Sequence, residues 1–308
     1  MFRMLSNDRI TEQNSNAHRF VLTKVALLVM FAGSIVSAQT AVAPAAKSQF
    51  AKLEGARIHY KSYGNGNDAL VLIHGWTCNM DHWRDQVPAF AKHGRVITLD
   101  LIGHGLSDKP QATYTLDLFA QAVDAVMRDA KVKRAVLVGH SMGTPVAREF
   151  YRKYPERTLA IVMVDGGLRL FGDQKMRDNF LAMFRAPTYK EAGAKMLVSM
   201  GGPALATEEQ ERIRASFGAT PQYVLVSAME QMGDASKYGT DKIKVPVLAI
   251  LAKSPFWPAD TEEFLHSLAP DLEFQMWEGV GHFLMMEKPN EFNAAVAAFL
   301  EKKSLLKD

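Results

Sequence analysis

The sequence predicts an α/β protein: an eight-stranded, mostly parallel sheet flanked by helices, with a helical cap inserted after the sixth strand. Three observations predict it. Short apolar runs of strand length alternate with amphipathic helical stretches, the rhythm of a parallel sheet covered on both faces. That rhythm stops after Thr158–Val164: Leu168–Lys242 carries helix periodicity and no convincing strand, and strands resume at Val247. Finally, 308 residues with 48% apolar content and no repeat or low-complexity tract give room for a sizeable core.

Taken in order, Gln49–Leu53 and Ala56–Tyr63 read as strands joined by a turn at Glu54-Gly55. Ala69–Ile73 is a buried strand, and Asp81–His93 an amphipathic helix with Trp83, Val87 and Phe90 on one side. Arg95–Leu99 is the next strand, and Thr115–Ala130 a helix with Leu116, Phe119, Ala120, Val123 and Met127 at helical spacing. Ala135–Val138 is a Val-rich strand, Thr144–Tyr154 a helix, and Thr158–Val164 the sixth strand. In the cap, helices are expected near Gln174–Phe184, Thr188–Met200, Thr207–Phe217 and Pro221–Met232. Val247–Leu251 and Glu273–Trp277 complete the sheet, with helices at Asp260–Leu268 and Pro289–Lys303.

The N-terminus has a different logic. Arg19 and Lys24 precede the apolar run Val25–Val36, and Val36-Ser37-Ala38 supplies the small residues of a cleavage site. This is the layout of a secretory signal, so the protein is expected to be exported, periplasmic or secreted, with no stable membrane span after processing. A retained N-terminal anchor is the competing reading, although the run is short for a bilayer. The expected organisation is a signal peptide over 1–38, a flexible leader over 39–48, a core from 49–166 and 243–308, and a cap over 167–242. The chain has 36 Lys and Arg against 33 Asp and Glu; beyond residue 38 they number 32 and 31, which points to no nucleic acid or other acidic partner. Cys78 is the single cysteine, so no internal disulfide is possible, and it reads as a small packed hydrophobe.

The chemistry gathers at Gly139-His140-Ser141-Met142-Gly143. A buried strand, a G-x-S-x-G turn and a helix in that order form a nucleophile elbow, which lifts the Ser141 hydroxyl out of the sheet at a helix N-terminus. A serine hydroxyl is a poor nucleophile without a base. His282, in a Gly-flanked loop after the last strand, is the candidate base. The other histidines have local readings: His74 and His104 brace tight loops, His140 bonds near the elbow, and His59, His82 and His93 sit at surface or half-buried positions. No spacing among them suggests a metal site, and no metal or cofactor is expected.

Four motifs in order carry a resemblance: His74-Gly75-Trp76, Asp100 to Ser107, the elbow at Gly139–Gly143, and Gly281-His282. With them the chain resembles the α/β-hydrolase superfamily in its capped form, from Gln49 to the C-terminus. The resemblance implies an oxyanion hole made by the backbone N–H groups of Trp76 and Met142, with the Trp76 ring also available as a pocket wall. It implies a third triad member too, an acid after the seventh strand. By count from Pro246 that position falls on Pro255, which has no carboxylate. Two substitutes exist: Asp165 at the end of the sixth strand, which is preferred, and Asp260 further along the seventh-strand loop, which could instead cap the following helix.

The expected function is an exported serine hydrolase acting on a small-molecule carboxylic ester or related acyl compound. The Met-rich and aliphatic cap (Met176, Leu181, Met183, Met196, Leu197, Met200, Leu225, Met229, Met232) suits an apolar acyl or aromatic ester, although cap packing explains most of those residues. Cofactor-independent oxygenation on the same fold is an alternative that an acid at Asp165 keeps open, and a non-catalytic ligand-binding protein is another. Relatives with Asp at the elbow, the haloalkane dehalogenases and epoxide hydrolases, are disfavoured by Ser141.

Overall fold

The computed structural model describes residues 46–306. The signal peptide expected over 1–38 and most of the leader over 39–48 lie outside the described residues. Strands β1 (Gln49–Leu53) and β2 (Ala56–Tyr63) form a hairpin whose turn residues, Glu54 and Gly55, both have positive φ. Such a pair matches the twist of the two strands. The sheet continues through β3 (Asp68–Ile73), β4 (Arg95–Leu99), β5 (Arg134–His140), β6 (Thr158–Val164), β7 (Val247–Ala252) and β8 (Leu272–Trp277). The spatial order is β1-β2-β4-β3-β5-β6-β7-β8. Pairings β1–β2 and β2–β4 are antiparallel, and every later one is parallel. The chain therefore reverses its direction of travel across the sheet between β3 and β5. Loops leaving the carboxyl ends of those two strands diverge, which opens the crevice where α/β sheets bind ligands.

β3, β5, β6 and β7 are buried along almost their whole length, which is why they read as continuous apolar runs. The edge strand β8 is only half-buried. Helices α2 (Leu116–Asp129), α3 (Gly143–Lys153), α8 (Thr261–Leu268) and α10 (Pro289–Lys302) cover the faces. The side chain of Thr115 caps α2 by accepting from Leu118 N–H at 3.0 Å.

One expected helix does not form. Asp81–His93 divides into a short 3-10 turn at Met80–Trp83 and a single turn, α1 (Val87–Phe90). Pro88 is the reason: inside a continuous helix it would lack an N–H and press its ring on the preceding turn, so it sits in the first turn of a new one. A short helix that the sequence did not suggest, α9 (Leu284–Glu287), follows His282.

Between β6 and β7 the chain forms α4 (Gln174–Arg185), α5 (Tyr189–Ser199), α6 (Thr207–Ala219) and α7 (Gln222–Met232), with no strand among these described residues. The layer has its own core, in which Phe184 and Phe217 are both fully buried with ring centroids 6.2 Å apart. The methionines divide between two roles. Met229 and Met232 are buried in packing, whereas Met176, Met183 and Met196 line a cavity of about 520 Å³ with Phe180.

Candidate active site

β5 ends in a turn tight enough to leave no room for flanking side chains. A Cβ on Gly139 would lie 2.2 Å from the Gly143 carbonyl oxygen, and one on Gly143 would lie 2.4 Å from that of Ile73. Ser141 between them has φ of +53°, a left-handed conformation that costs a non-glycine residue on the order of 1–2 kcal/mol. Its backbone is fixed at both ends, by Ser141 N–H to Val164 O at 2.9 Å and by Thr144 N–H to Ser141 O at 3.0 Å. The strain holds the hydroxyl above the carboxyl end of the sheet, at the first turn of α3.

His282 is fixed by three contacts. Its N–H donates to Met200 O at 2.8 Å, and its carbonyl accepts from His140 Nε2 at 2.8 Å. Its Nδ1 lies 2.6 Å from Asp165 Oδ2. The His140 and His282 rings are 4.7 Å apart, so the base stands beside the residue that precedes Ser141. Among the described residues no hydrogen bond joins the Ser141 hydroxyl to His282 Nε2; in ligand-free sites this contact is commonly loose.

Asp165 is buried, with φ of +43° at the end of β6. Its second oxygen, Oδ1, accepts from Ala252 N–H at 2.8 Å and from Trp257 Nε1–H at 3.3 Å. One face of the carboxylate is thus occupied by β7 and its loop, and the other is aimed at His282. Asp260 lies elsewhere. It is exposed and pairs with Arg169 through both oxygens, at 2.6 and 3.0 Å. That guanidinium holds its carboxyl below the usual range. Asp260 occupies the N-cap position of α8, but its side chain makes no cap bond, because Arg169 takes it. The alternative acid therefore does not meet His282, and the helix-cap role expected for it is corrected to an ion pair.

The backbone N–H groups of Trp76 and Met142 make no hydrogen bond among the described residues, so both are available to an incoming oxygen. The Trp76 ring is 6% exposed, stands edge-on to Phe184 at 4.7 Å, and donates its N–H to Leu225 O at 2.9 Å. It ties the loop after β3 to α4 and α7, and reaches the methionine-lined cavity through Phe180, 6.3 Å away.

The surrounding histidines are structural. His74 Nδ1–H donates to Gly75 O and its Nε2 accepts from Leu101 N–H. His59 and His82, expected near the surface, are buried instead, at 2% and 1% exposure. The loop at Asp100–Ser107 covers His59, whose N–H donates to Ser107 Oγ, and His82 folds back on Asn79. Burial pushes His82 and His104 down to about 3 and also lowers His74 and His140, so all four are neutral. A second Asp–His–Ser array exists: Asp100 Oδ2, His59 Nδ1 at 2.8 Å, and His59 Nε2 to Ser48 Oγ at 2.9 Å. Asp100 also accepts from Met80 and Leu106 N–H groups, which makes this array a brace that joins Ser48, just before β1, and β2 to the loop after β4. Burial raises the Cys78 thiol to about 12, which keeps it inert. Among the described residues no group of three or more His, Cys, Asp or Glu could hold a metal ion.

Two contributors to the site carry no signal in the sequence. Trp257 supplies its N–H to Asp165 from the loop in which Pro255 stands at the position expected for the acid. Glu287 accepts from Gly281 N–H next to His282. Neither belongs to a motif: Trp257 acts on a residue 92 positions away that only the fold brings near, and Glu287 on the turn six residues before it.

The chain is similar to known proteins of one fold family. The family model described as "alpha/beta hydrolase fold" matches residues 68–289. A 2-hydroxy-6-oxononadienedioate/2-hydroxy-6-oxononatrienedioate hydrolase from Burkholderia vietnamiensis is 31% identical over 270 residues, covering 80% of this chain and 91% of the relative. The crystal structure of a hydrolase from Pseudomonas aeruginosa superposes with a TM-score of 0.74 at 26% identity, over 83% of this chain and 99% of that one. The structure of an N-acyl homoserine lactone degrading enzyme superposes with a TM-score of 0.71 at 25% identity, over 82% and 100%.

Proposed function

The chain belongs to the α/β-hydrolase fold family and is a hydrolase, and we propose that it is a serine hydrolase cleaving a carboxylic ester or related acyl compound. The observation that carries this reading is the 2.6 Å contact between His282 Nδ1 and a buried Asp165 whose other oxygen is already occupied. A carboxylate so held fixes the proton on Nδ1 and leaves Nε2 free to accept one. In the reaction, Ser141 Oγ attacks the substrate carbonyl as its proton passes to His282 Nε2. The carbonyl oxygen becomes an oxyanion facing the Trp76 and Met142 N–H groups. Collapse breaks the bond to the leaving alkoxide, which takes the proton from His282, and an acyl ester remains on Ser141. Water then attacks that ester, giving its proton to His282, and the carboxylic acid leaves as the hydroxyl of Ser141 is restored.

The cavity lined by Met176, Met183, Met196 and Phe180, with Asp173, Lys175 and Asn179 also in its wall, offers apolar surface for an acyl or aromatic group. The lactone-degrading neighbour supports an acyl substrate in the same sense. The test is covalent labelling with a fluorophosphonate probe. One equivalent should attach, on the peptide containing Ser141. A protein that binds esters but takes no label is a binding protein instead, and turnover that depends on dissolved oxygen makes it an oxygenase.

Export is part of the proposal and rests on the sequence alone. Protein recovered outside the cytoplasm should begin at Gln39, by N-terminal sequencing, with cleavage after Ala43 as the secondary site. An uncut chain held in the membrane supports the anchor.

A further inference from the structure

Glu287 lies on α9 and is 8% exposed. α9 is firmly seated, since Leu284 and Met285 are fully buried and Met285 O accepts from Gln86 Nε2 at 2.9 Å. From that platform the Glu287 carboxylate reaches two different loops. Its Oε1 accepts from Gly202 N–H, in the link between α5 and α6, at 3.0 Å. It also accepts from Gly281 N–H, in the loop that carries His282, through Oε1 at 3.0 Å and Oε2 at 3.1 Å. The next N–H, that of His282, donates to Met200 O in the same α5–α6 link. The two backbones touch with no space for a side chain: a Cβ on Gly281 would lie 2.2 Å from Gly202 N, and one on Gly202 would lie 2.4 Å from Gly281 N.

We propose that Glu287 is a positioning residue that makes the placement of the His282 base depend on the seating of the inserted helices. The proposal rests on the serine-hydrolase reading of the site. Its physics is simple. The N–H groups of Gly281 and His282 must be satisfied, and both of their partners involve the α5–α6 link or the carboxylate that grips it. When that link moves away, His282 loses its bond to Met200 and Glu287 loses half of its clamp. The imidazole then keeps its contact with Asp165, and the main chain of His282 keeps only the bond from His140 to its carbonyl. The base is thus held in place while the α5–α6 link is seated against the His282 loop. Glu287 touches no reacting atom, so its effect falls on the rate of proton transfer and not on substrate binding.

The test compares Glu287→Ala, Glu287→Gln, Gly202→Ala and the double variant Glu287→Ala/Gly202→Ala, by fluorophosphonate labelling and ester kinetics. Wild-type protein labels at Ser141. Glu287→Ala and Gly202→Ala should label more slowly by about ten- to a hundredfold, the scale of a misplaced catalytic group. Their kcat should fall by the same factor while KM stays within about twofold. The double variant should be no more than about threefold worse than the slower single one, because both break the same junction. Glu287→Gln should regain most of the rate, since one oxygen can accept both N–H groups.

Wild-type labelling rates in the single variants, losses that multiply in the double, a Gln variant as slow as Ala, or a loss carried by KM each overturn the proposal. If Glu287→Ala does not fold, Gly202→Ala decides alone, because its Cβ would press on both Gly281 N and Glu287 Oε2 at 2.4 Å and so breaks the same junction while keeping the glutamate. Wild-type protein that takes no label at Ser141 overturns the serine reading, and this coupling with it.

Discussion

Ser141→Ala should reduce ester turnover by about six orders of magnitude, the scale seen when a serine hydrolase loses its nucleophile, while the protein stays folded. The two halves of that expectation have separate physical grounds. Without Oγ there is no atom to form the acyl intermediate, and the pair of N–H donors at Trp76 and Met142 can only polarise a carbonyl for attack by water. The fold is indifferent because the turn is shaped by Gly139 and Gly143, which are pressed against neighbouring backbone, and not by the hydroxyl. Alanine has the same Cβ in the same left-handed conformation, so the strain at φ of +53° is unchanged. The thermal midpoint should therefore match that of the parent. A variant that hydrolyses an activated ester at the parental rate removes Ser141 from the mechanism.

The sheet was legible in the sequence because its physics is local. β3, β5, β6 and β7 are buried on both faces, and such strands must be apolar throughout. The break at Pro88 was readable in principle, since proline alone forbids a continuous helix there, but the apolar stripe of Trp83, Val87 and Phe90 suggested one. Ser141 and His282 stood out as candidate nucleophile and base because each sits among glycines that only a tight turn requires. His59 and His82 misled because their burial comes from loops folded over them, which the pattern of the strand or turn does not encode.

The sequence preferred Asp165 to Asp260 but left both open, and for a deeper reason. Asp165-Gly166-Gly167 reads as a turn, and what its carboxylate meets depends on β6 lying between β5 and β7. That spatial order places Asp165 within reach of Ala252, Trp257 and His282 at once, at separations of 87, 92 and 117 residues. No spacing rule links positions so far apart. The same holds for Glu287, whose partner Gly202 is 85 residues away.

Asp165→Asn should lower turnover by about four orders of magnitude, the factor found for the equivalent change in a serine protease, with the fold retained. The direction follows from the hydrogen bonds. Oδ1 accepts from Ala252 N–H and Trp257 Nε1–H, so the amide oxygen of Asn must take that position. Its NH2 group is then turned toward His282 Nδ1, which can meet it only as an acceptor. The imidazole proton moves to Nε2, where it points at Ser141 and cannot receive the hydroxyl proton. The variant thus keeps every bond to β7 and loses the working tautomer, and the thermal midpoint should barely move. Asp260→Asn is the control. It loosens an exposed pair with Arg169, which contributes little in water, and should keep near-parental turnover. An inactive Asp260→Asn beside an active Asp165→Asn reverses the assignment. If neither change matters, His282 works without a carboxylate, since its bonds to Met200 and His140 are made by its main chain and hold no ring tautomer.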